Sequence, residues 1–214
     1  MNAIQDYSDQ DTEKAWEKRW APYDEATYQV ILSAIQPDDV VLEIGAGDLR
    51  LAQRLAAVAK EVYAIELQLP LLRPAWQRPT SEPPPNLHVF WGDARTVPFP
   101  QGITTGVLLM RHCTHFRLYW AKLAAAGARQ LFTNARWRMG VERIDLEKSR
   151  APYQSVEIGW YGCRCGSVGF VHGDPEILTP GALNFVHEVA SCPRCVTTED
   201  LPERPGGWTH RTEP

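Results

Sequence analysis

Three carboxylates and a glycine pair carry the first chemistry in this sequence. In "VVLEIGAGDLRLAQRLAAVAKEVYAIEL" (Val40 to Leu67), Glu43 precedes a tight Gly45-Ala46-Gly47 turn, and Glu66 follows about twenty residues later. Asp93 stands in "FWGDA" beyond the next apolar run. A glycine turn lets backbone approach a ligand closely, and an acidic residue at the end of the second strand can accept both hydroxyls of a ribose. That much also suits a nicotinamide dinucleotide. Arg50, however, stands where a dinucleotide fingerprint has its third glycine, and Glu43 would put negative charge beside a pyrophosphate. A carboxylate there suits an ammonium or sulfonium better. Asp93 is placed to accept from an adenine exocyclic amine, so the three acidic strand ends describe a cationic adenosine ligand. Glycine turns also serve steric needs alone, so the reading rests on the combination.

A second cluster is made of thiols. Cys163-x-Cys165 and Cys192-x-x-Cys195 supply four of the five cysteines as two close pairs. Four thiolates suit tetrahedral Zn2+, and a closed set of four cysteine ligands is structural rather than catalytic. His172 and His187 are alternative ligands. Two disulfides are the other use of such pairs, disfavoured in a cytoplasmic setting, and a redox Cys-x-x-Cys belongs at a helix start. The fifth, Cys113, reads as a small buried hydrophobe.

The elements that position these residues follow from periodicity. Residues 12–20 have helical composition, and "YDEATYQVILSAI" is a helix with Asp24 as N-cap and Tyr28, Ile31, Leu32 and Ile35 on one face. Pro37, Asp38 and Asp39 end it. "VVLEI", "EVYAIEL", "LHVFW", "GVLLM" and "RQLFTNA" are short apolar strands, with helices over Leu49 to Lys60 and "HFRLYWAKLAAAG". Strands alternating with helices predict an α/β fold: a doubly wound, Rossmann-like parallel sheet with helices on both faces. "RPTSEPPPN" is a surface connector. The polar segment "RWRMGVERIDLEKSR" lacks the apolar face of a crossover helix. From about Ala151 the chain becomes β-rich and carries the cysteine quartet. We therefore expect a ligand-binding domain over 1–150, a zinc-ribbon-like module over 151–200 and a mobile tail over 201–214. The alternative is that "SVEIGWY" and "GSVGFV" complete the main sheet.

The quoted motifs, with "YDEATY", resemble the successive cofactor motifs of class I S-adenosylmethionine-dependent methyltransferases, with rRNA adenine dimethyltransferases the nearest flavour. The resemblance covers roughly Asp24 to Asn134. It implies S-adenosyl-L-methionine as cofactor, with Glu43, Gly45, Ala46 and Gly47 at the methionine end, Glu66 and Leu67 at the ribose, and Asp93 with Ala94 at the adenine. Tyr23 or Tyr28 would close over the carboxylate. The pattern departs from the family after the fourth strand, where adenine-N6 enzymes carry an Asn/Asp-Pro-Pro-Tyr-like motif and this chain has "LLMRHCTHF". Arg111 and His112 are the catalytic candidates there, His112 as a base for a hydroxyl, amine or ring nitrogen, with His115 further off. Two functions stay open: methyl transfer to an RNA or protein acceptor, with the zinc module recognising the substrate or a protein partner, and a non-catalytic subunit with the methyltransferase fold.

Charge and composition bound these readings. The 214-residue chain has a net charge of −4, which argues against non-specific coating of nucleic acid. The charge is uneven: Met1 to Asp48 holds eleven acidic and three basic residues, Arg111 to Arg150 nine basic and three acidic. The second stretch could face an anionic partner or simply solvate a helix and a loop. No run reaches the roughly eighteen apolar residues of a membrane span, and the acidic opening "MNAIQDYSDQD" is unlike a signal peptide, so a soluble cytoplasmic protein with no membrane contact is expected.

Overall fold

The computed structural model describes residues 24–72, 83–111, 113–136 and 140–195. The expected helix over 12–20, most of the proline-rich connector and the tail over 201–214 lie outside the described residues. The chain divides into two compact units, Met1–Lys148 and Ser149–Pro214. No helix among the described residues is long and apolar enough to cross a membrane.

The first unit opens with α1 (Glu25–Leu32), where the Asp24 carboxylate accepts from the Thr27 amide at 2.8 Å and Tyr28 and Ile31 face inward. Then follow β1 (Val40–Ile44), α2 (Arg50–Ala56), β2 (Glu61–Glu66), β3 (Leu87–Trp91), β4 (Thr105–Leu108), α3 (Phe116–Ala125), β5 (Gln130–Thr133) and β6 (Glu142–Asp145). The sheet order is β3-β2-β1-β4-β5-β6. Five strands are parallel, and β6 runs antiparallel to β5.

Alternation along the strands sorts the core onto two faces. Val41, Val107 and Phe132 pack with Tyr28 and Ile31 of α1 and Leu51, Ala52 and Leu55 of α2. Leu42, Ile44, Leu108 and Leu131 pack with Phe116, Tyr119, Trp120 and Leu123 of α3. Side chains one residue apart point to opposite faces, so a strand buried on both sides must be apolar throughout, as "VVL" is. Glu43 breaks that run inside the buried segment.

One strand corrects the expectation of an all-parallel sheet. β6 lies in the segment read as polar connector, because as an edge strand it buries only Ile144, while Arg143 lays its guanidinium over the Phe132 ring at 6.0 Å. One apolar residue among charged ones leaves no strand signature. An antiparallel neighbour also needs no long crossover, which accounts for the missing helix.

The second unit holds its own three-stranded sheet, order β8-β7-β9, so the strands of "SVEIGWY" and "GSVGFV" do not extend the main sheet. β7 (Gly159–Cys163) is antiparallel to β8 (Val168–Val171) and parallel to β9 (Val186–Val189), with a short α4 (Pro180–Asn184) between β8 and β9. Its buried core is Val156, Tyr161, Cys163, Val189 and Cys192, two of the five being cysteines. A core this small needs a staple.

Candidate functional site

The turn after β1 is fastened to the end of β2. Gly45 N–H and Ala46 N–H both donate to the Ile65 carbonyl, at 2.8 and 3.1 Å. Gly45 and Gly47 have φ of 74° and 58°, the left-handed region open to glycine, and a Cβ on Gly45 would stand 3.1 Å from Met110 Cε. Leu49 also adopts φ 66° as the chain enters α2. The Glu66 carboxylate, 5% exposed, accepts from Gly47 N–H at 2.8 Å through Oε2 and from Gln68 N–H at 2.7 Å through Oε1. Each oxygen keeps a further lone pair for a ligand hydroxyl.

Glu43 is equally buried, and its Oε2 has no hydrogen-bond partner among the described residues. Burial first, then the neighbouring Asp48 and Glu66 carboxylates, holds its carboxyl well above the ordinary carboxylate range. Asp48 is itself gripped by Arg50, Nε at 2.8 Å and Nη2 at 2.6 Å from Oδ2. The residue standing in place of the third glycine thus braces the turn's second carboxylate.

Asp93 sits just past β3. Its carboxylate accepts from Arg95 through Nε, Nη2 and the backbone N–H, and those contacts hold its pKa low, the Arg95 side chain contributing most. Ala94 is buried, and its carbonyl accepts from Lys122 Nζ of α3 at 2.5 Å. Leu67 is exposed, and Trp91 beside it is 61% exposed while its indole N–H donates to the Leu67 carbonyl at 3.0 Å. Sequence reading passed over Trp91, whose only signal was its place at a strand end. It also passed over Asn134, buried at the end of β5.

Of the remaining candidates, Tyr28 is buried in the core with the Arg54 guanidinium 5.4 Å above its ring. Tyr23 and His112 lie outside the described residues. Arg111 and His115 are exposed, His115 edge-on to Tyr119 at 6.3 Å. Cys113 is half-buried against the α3-side core, and burial pushes its thiol up. A cavity of about 810 Å³ opens at the amino ends of the strands, lined by Asp39, Arg129, Gln130 and Asp145 among others, away from the carboxyl ends where ligands of open α/β sheets sit.

In the second unit the four thiols converge. Cys163 and Cys195 sulfurs are 3.5 Å apart, Cys165 and Cys192 3.7 Å, Cys192 and Cys195 4.0 Å, and all four lie within 4.8 Å of one another. Zn–S bonds of about 2.3 Å in a tetrahedron place sulfurs about 3.8 Å apart, so the spacing fits one zinc ion. None of the five cysteines is in a disulfide. The knuckles are made by backbone: Gly166 N–H donates to the Cys163 carbonyl at 3.0 Å and Cys195 N–H to the Cys192 carbonyl at 2.9 Å, while Cys192 N–H points at Cys195 Sγ at 3.4 Å. Burial raises the Cys163 and Cys192 thiols. For Cys165, burial pushes the thiol up, but hydrogen bonds from Ser167, Cys163 and Cys195 together more than offset it and bring it down to about 7. His172 and His187 are not in the cluster.

The chain is similar to known proteins over its first unit. The family model described as ribosomal RNA adenine dimethylase matches residues 23–131. A probable ribosomal RNA small subunit methyltransferase A from Methanosarcina acetivorans is 40% identical over 72 residues, 34% of this chain and 26% of the relative. Its counterpart from Methanosarcina barkeri is 43% identical over 72 residues, 34% and 24% of the two chains. The matched stretch therefore spans about a quarter of those relatives' length. A dimethyladenosine transferase structure from Plasmodium falciparum aligns with a TM-score of 0.45 at 25% identity, over 51% of this chain and 41% of that one.

Proposed function

The chain belongs to the ribosomal RNA adenine dimethylase family, and from that premise we propose that it transfers a methyl group from S-adenosyl-L-methionine to an RNA acceptor. The observation that carries the reading is the pair of buried carboxylates around the glycine turn. Glu66 is oriented by two backbone amides with lone pairs to spare, and Glu43 has an oxygen without a partner among the described residues.

These residues fit the cofactor. Glu66, with Leu67, would hold the ribose hydroxyls, Asp93 and Ala94 the adenine, and Glu43, Gly45, Ala46 and Gly47 the methionine end. Of the two tyrosines expected to close over that end, Tyr28 is packed in the core, so Tyr23 is the one proposed to do so. The bound cofactor supplies an electrophilic methyl group on a sulfonium centre. The protein's part is to orient the acceptor, exclude water and remove one proton from the acceptor atom. Arg111 and His112, which follow β4, are the residues proposed for that end, His112 as the base. An ionised Glu43 stabilises positive charge beside the turn, and its raised pKa makes that stabilisation dependent on pH.

We further infer that Cys163, Cys165, Cys192 and Cys195 hold one structural Zn2+, with no open position for catalysis. The division proposed is a methyltransferase domain over 1–150 and a zinc module over 151–200 that recognises the RNA substrate or a protein partner. Calorimetry with S-adenosylhomocysteine and methyl-group counting on RNA test the reading together. Saturable binding with turnover supports it, and preference for NADH would sink it.

One observation favours a second reading, a methyltransferase-fold subunit that binds or assembles without turnover. After β4 the chain continues Leu109-Met110-Arg111, with Leu109 buried and Met110 packed toward Gly45, in place of an Asn-Pro-Pro-Tyr-like motif. Binding of S-adenosylhomocysteine with no methyl transfer to any RNA or protein fraction distinguishes it.

A further inference from the structure

Asn134, directly after β5, is 4% exposed, and neither its amide nitrogen nor its amide oxygen has a hydrogen-bond partner among the described residues. Its neighbours account for the local turn without it. Thr133 Oγ1 donates to the Leu108 carbonyl at 2.8 Å and accepts from Ala135 N–H at 3.0 Å, and the Arg136 guanidinium makes two 2.9 Å bonds to Glu142. Buried polar groups are nearly always paired, and an apolar side chain of the same shape would cost the fold less. Packing alone gives no reason for an amide here.

Its place in the sheet does. Glu43, Val107 and Phe132 stand in register across β1, β4 and β5, and Val107 and Phe132 belong to the core cluster beneath α1 and α2. Asn134, two residues beyond Phe132, directly follows the carboxyl end of β5. The strand order reverses between β1 and β4. The cofactor candidates occupy the ends of β1, β2 and β3, which leaves the ends of β4 and β5 to the other reactant. β4 is followed by the apolar Leu109 and Met110. Asn134 supplies a donor and an acceptor side by side at the end of β5.

We propose that the Asn134 side-chain amide reads the methyl acceptor, and that the edge it takes is a nucleobase exocyclic amine beside a ring nitrogen, as adenine presents. The amide oxygen accepts from the amine while the amide N–H donates to the ring nitrogen, a pairing a carboxylate alone cannot make. The assignment rests on the RNA methyltransferase reading above and names the residue that gives it base selectivity.

The test uses the full chain saturated with S-adenosylhomocysteine and two single-stranded oligouridines, one carrying a single adenosine, the other purine riboside, which lacks the amine, at that position. The wild-type protein should bind the adenosine strand about tenfold more tightly. Asn134→Leu should lose that preference while keeping its S-adenosylhomocysteine affinity and an equal or higher melting temperature, because the unpaired buried amide is gone. Asn134→Asp, closest in size, keeps an acceptor for the amine but no donor for the ring nitrogen. It should keep the preference and bind both strands about tenfold more weakly. A preference retained in Asn134→Leu, or unchanged affinities in Asn134→Asp, overturns the assignment of Asn134 alone. Equal binding of the two strands by the wild-type protein overturns this proposal and leaves the RNA reading standing, whereas binding of neither strand overturns the RNA reading and this proposal with it.

Discussion

Glu66 Oε2 accepts the Gly47 amide hydrogen at 2.8 Å, so the carboxylate ending β2 holds the glycine turn that ends β1. The two strands are parallel neighbours in register from Val40 and Glu61 to Ile44 and Ile65. The bond converts two separate sequence motifs into one rigid cradle, and it couples ligand binding to the integrity of the turn.

Glu66→Ala should therefore act twice. It removes the acceptor for a ribose and frees the Gly47 and Gln68 amides, each charged hydrogen bond contributing about 1.5–3 kcal/mol. Titration calorimetry with S-adenosylhomocysteine should show weaker binding, and thermal melting a lower midpoint. Unaltered affinity would remove Glu66 from the ligand site.

Gly47→Ala tests the turn from the other side. At φ 58° a Cβ costs about 1–2 kcal/mol, so the variant should melt earlier even without ligand. An equal melting point would mean the turn relaxes freely.

Glu43 sets a pH dependence whose sign is opposite to that of most carboxylates. Its folded pKa lies above the ordinary 4.5, so the folded state binds the proton more tightly than the unfolded chain. The Glu43 contribution to stability grows as pH falls toward 4.5 and declines as pH rises from there through the folded value. Glu43→Gln should raise the melting point at neutral pH and flatten this slope. Glu25, held down to about 2 chiefly by Arg54, works the other way below 4.5, its contribution fading as pH falls toward 2. A cationic ligand beside Glu43 favours the carboxylate, so binding of S-adenosylmethionine should release a proton, detectable by calorimetry in buffers of differing ionisation enthalpy.

The purified protein should carry about one zinc per chain by elemental analysis. Chelation should raise hydrogen exchange across residues 149–195 and leave the six-stranded sheet protected, since the small core of the second unit includes two of the four cysteines. Metal-free protein with the same protection map would show that the thiols are plain core residues.

A chain ending after residue 148 retains all six strands of the first sheet, with β6 covering the edge of β5. It should be recovered in soluble form and bind S-adenosylhomocysteine as tightly as the full chain, while methylation of the natural acceptor is lost. Aggregation of the truncated chain would tie the second unit to the stability of the first.

Residue type and spacing alone specified the α/β alternation, the glycine turn with its carboxylates and the cysteine quartet. These are local signals: Val40 to Ile44 declares a buried strand by its own composition, and Cys163, Cys165, Cys192 and Cys195 announce a four-thiol cluster by spacing. β6 was not legible, because an edge strand that buries only Ile144 has no periodicity of its own and exists through its pairing with β5. The second β-rich segment was legible as a module of its own, but the alternative that it completes the main sheet was closed only by the long-range pairing of Gly159–Cys163 with Val168–Val171 and Val186–Val189. The state of each carboxylate was decided the same way. Glu43, Glu66 and Asp93 are alike in sequence, yet burial left an oxygen of the first unpartnered, two backbone amides oriented the second, and Arg95 paired the third. Partners and desolvation are set by atoms brought together from distant parts of the chain. For that reason Asn134, unremarkable among its sequence neighbours, acquires meaning only once the fold buries its amide without a partner at the end of β5.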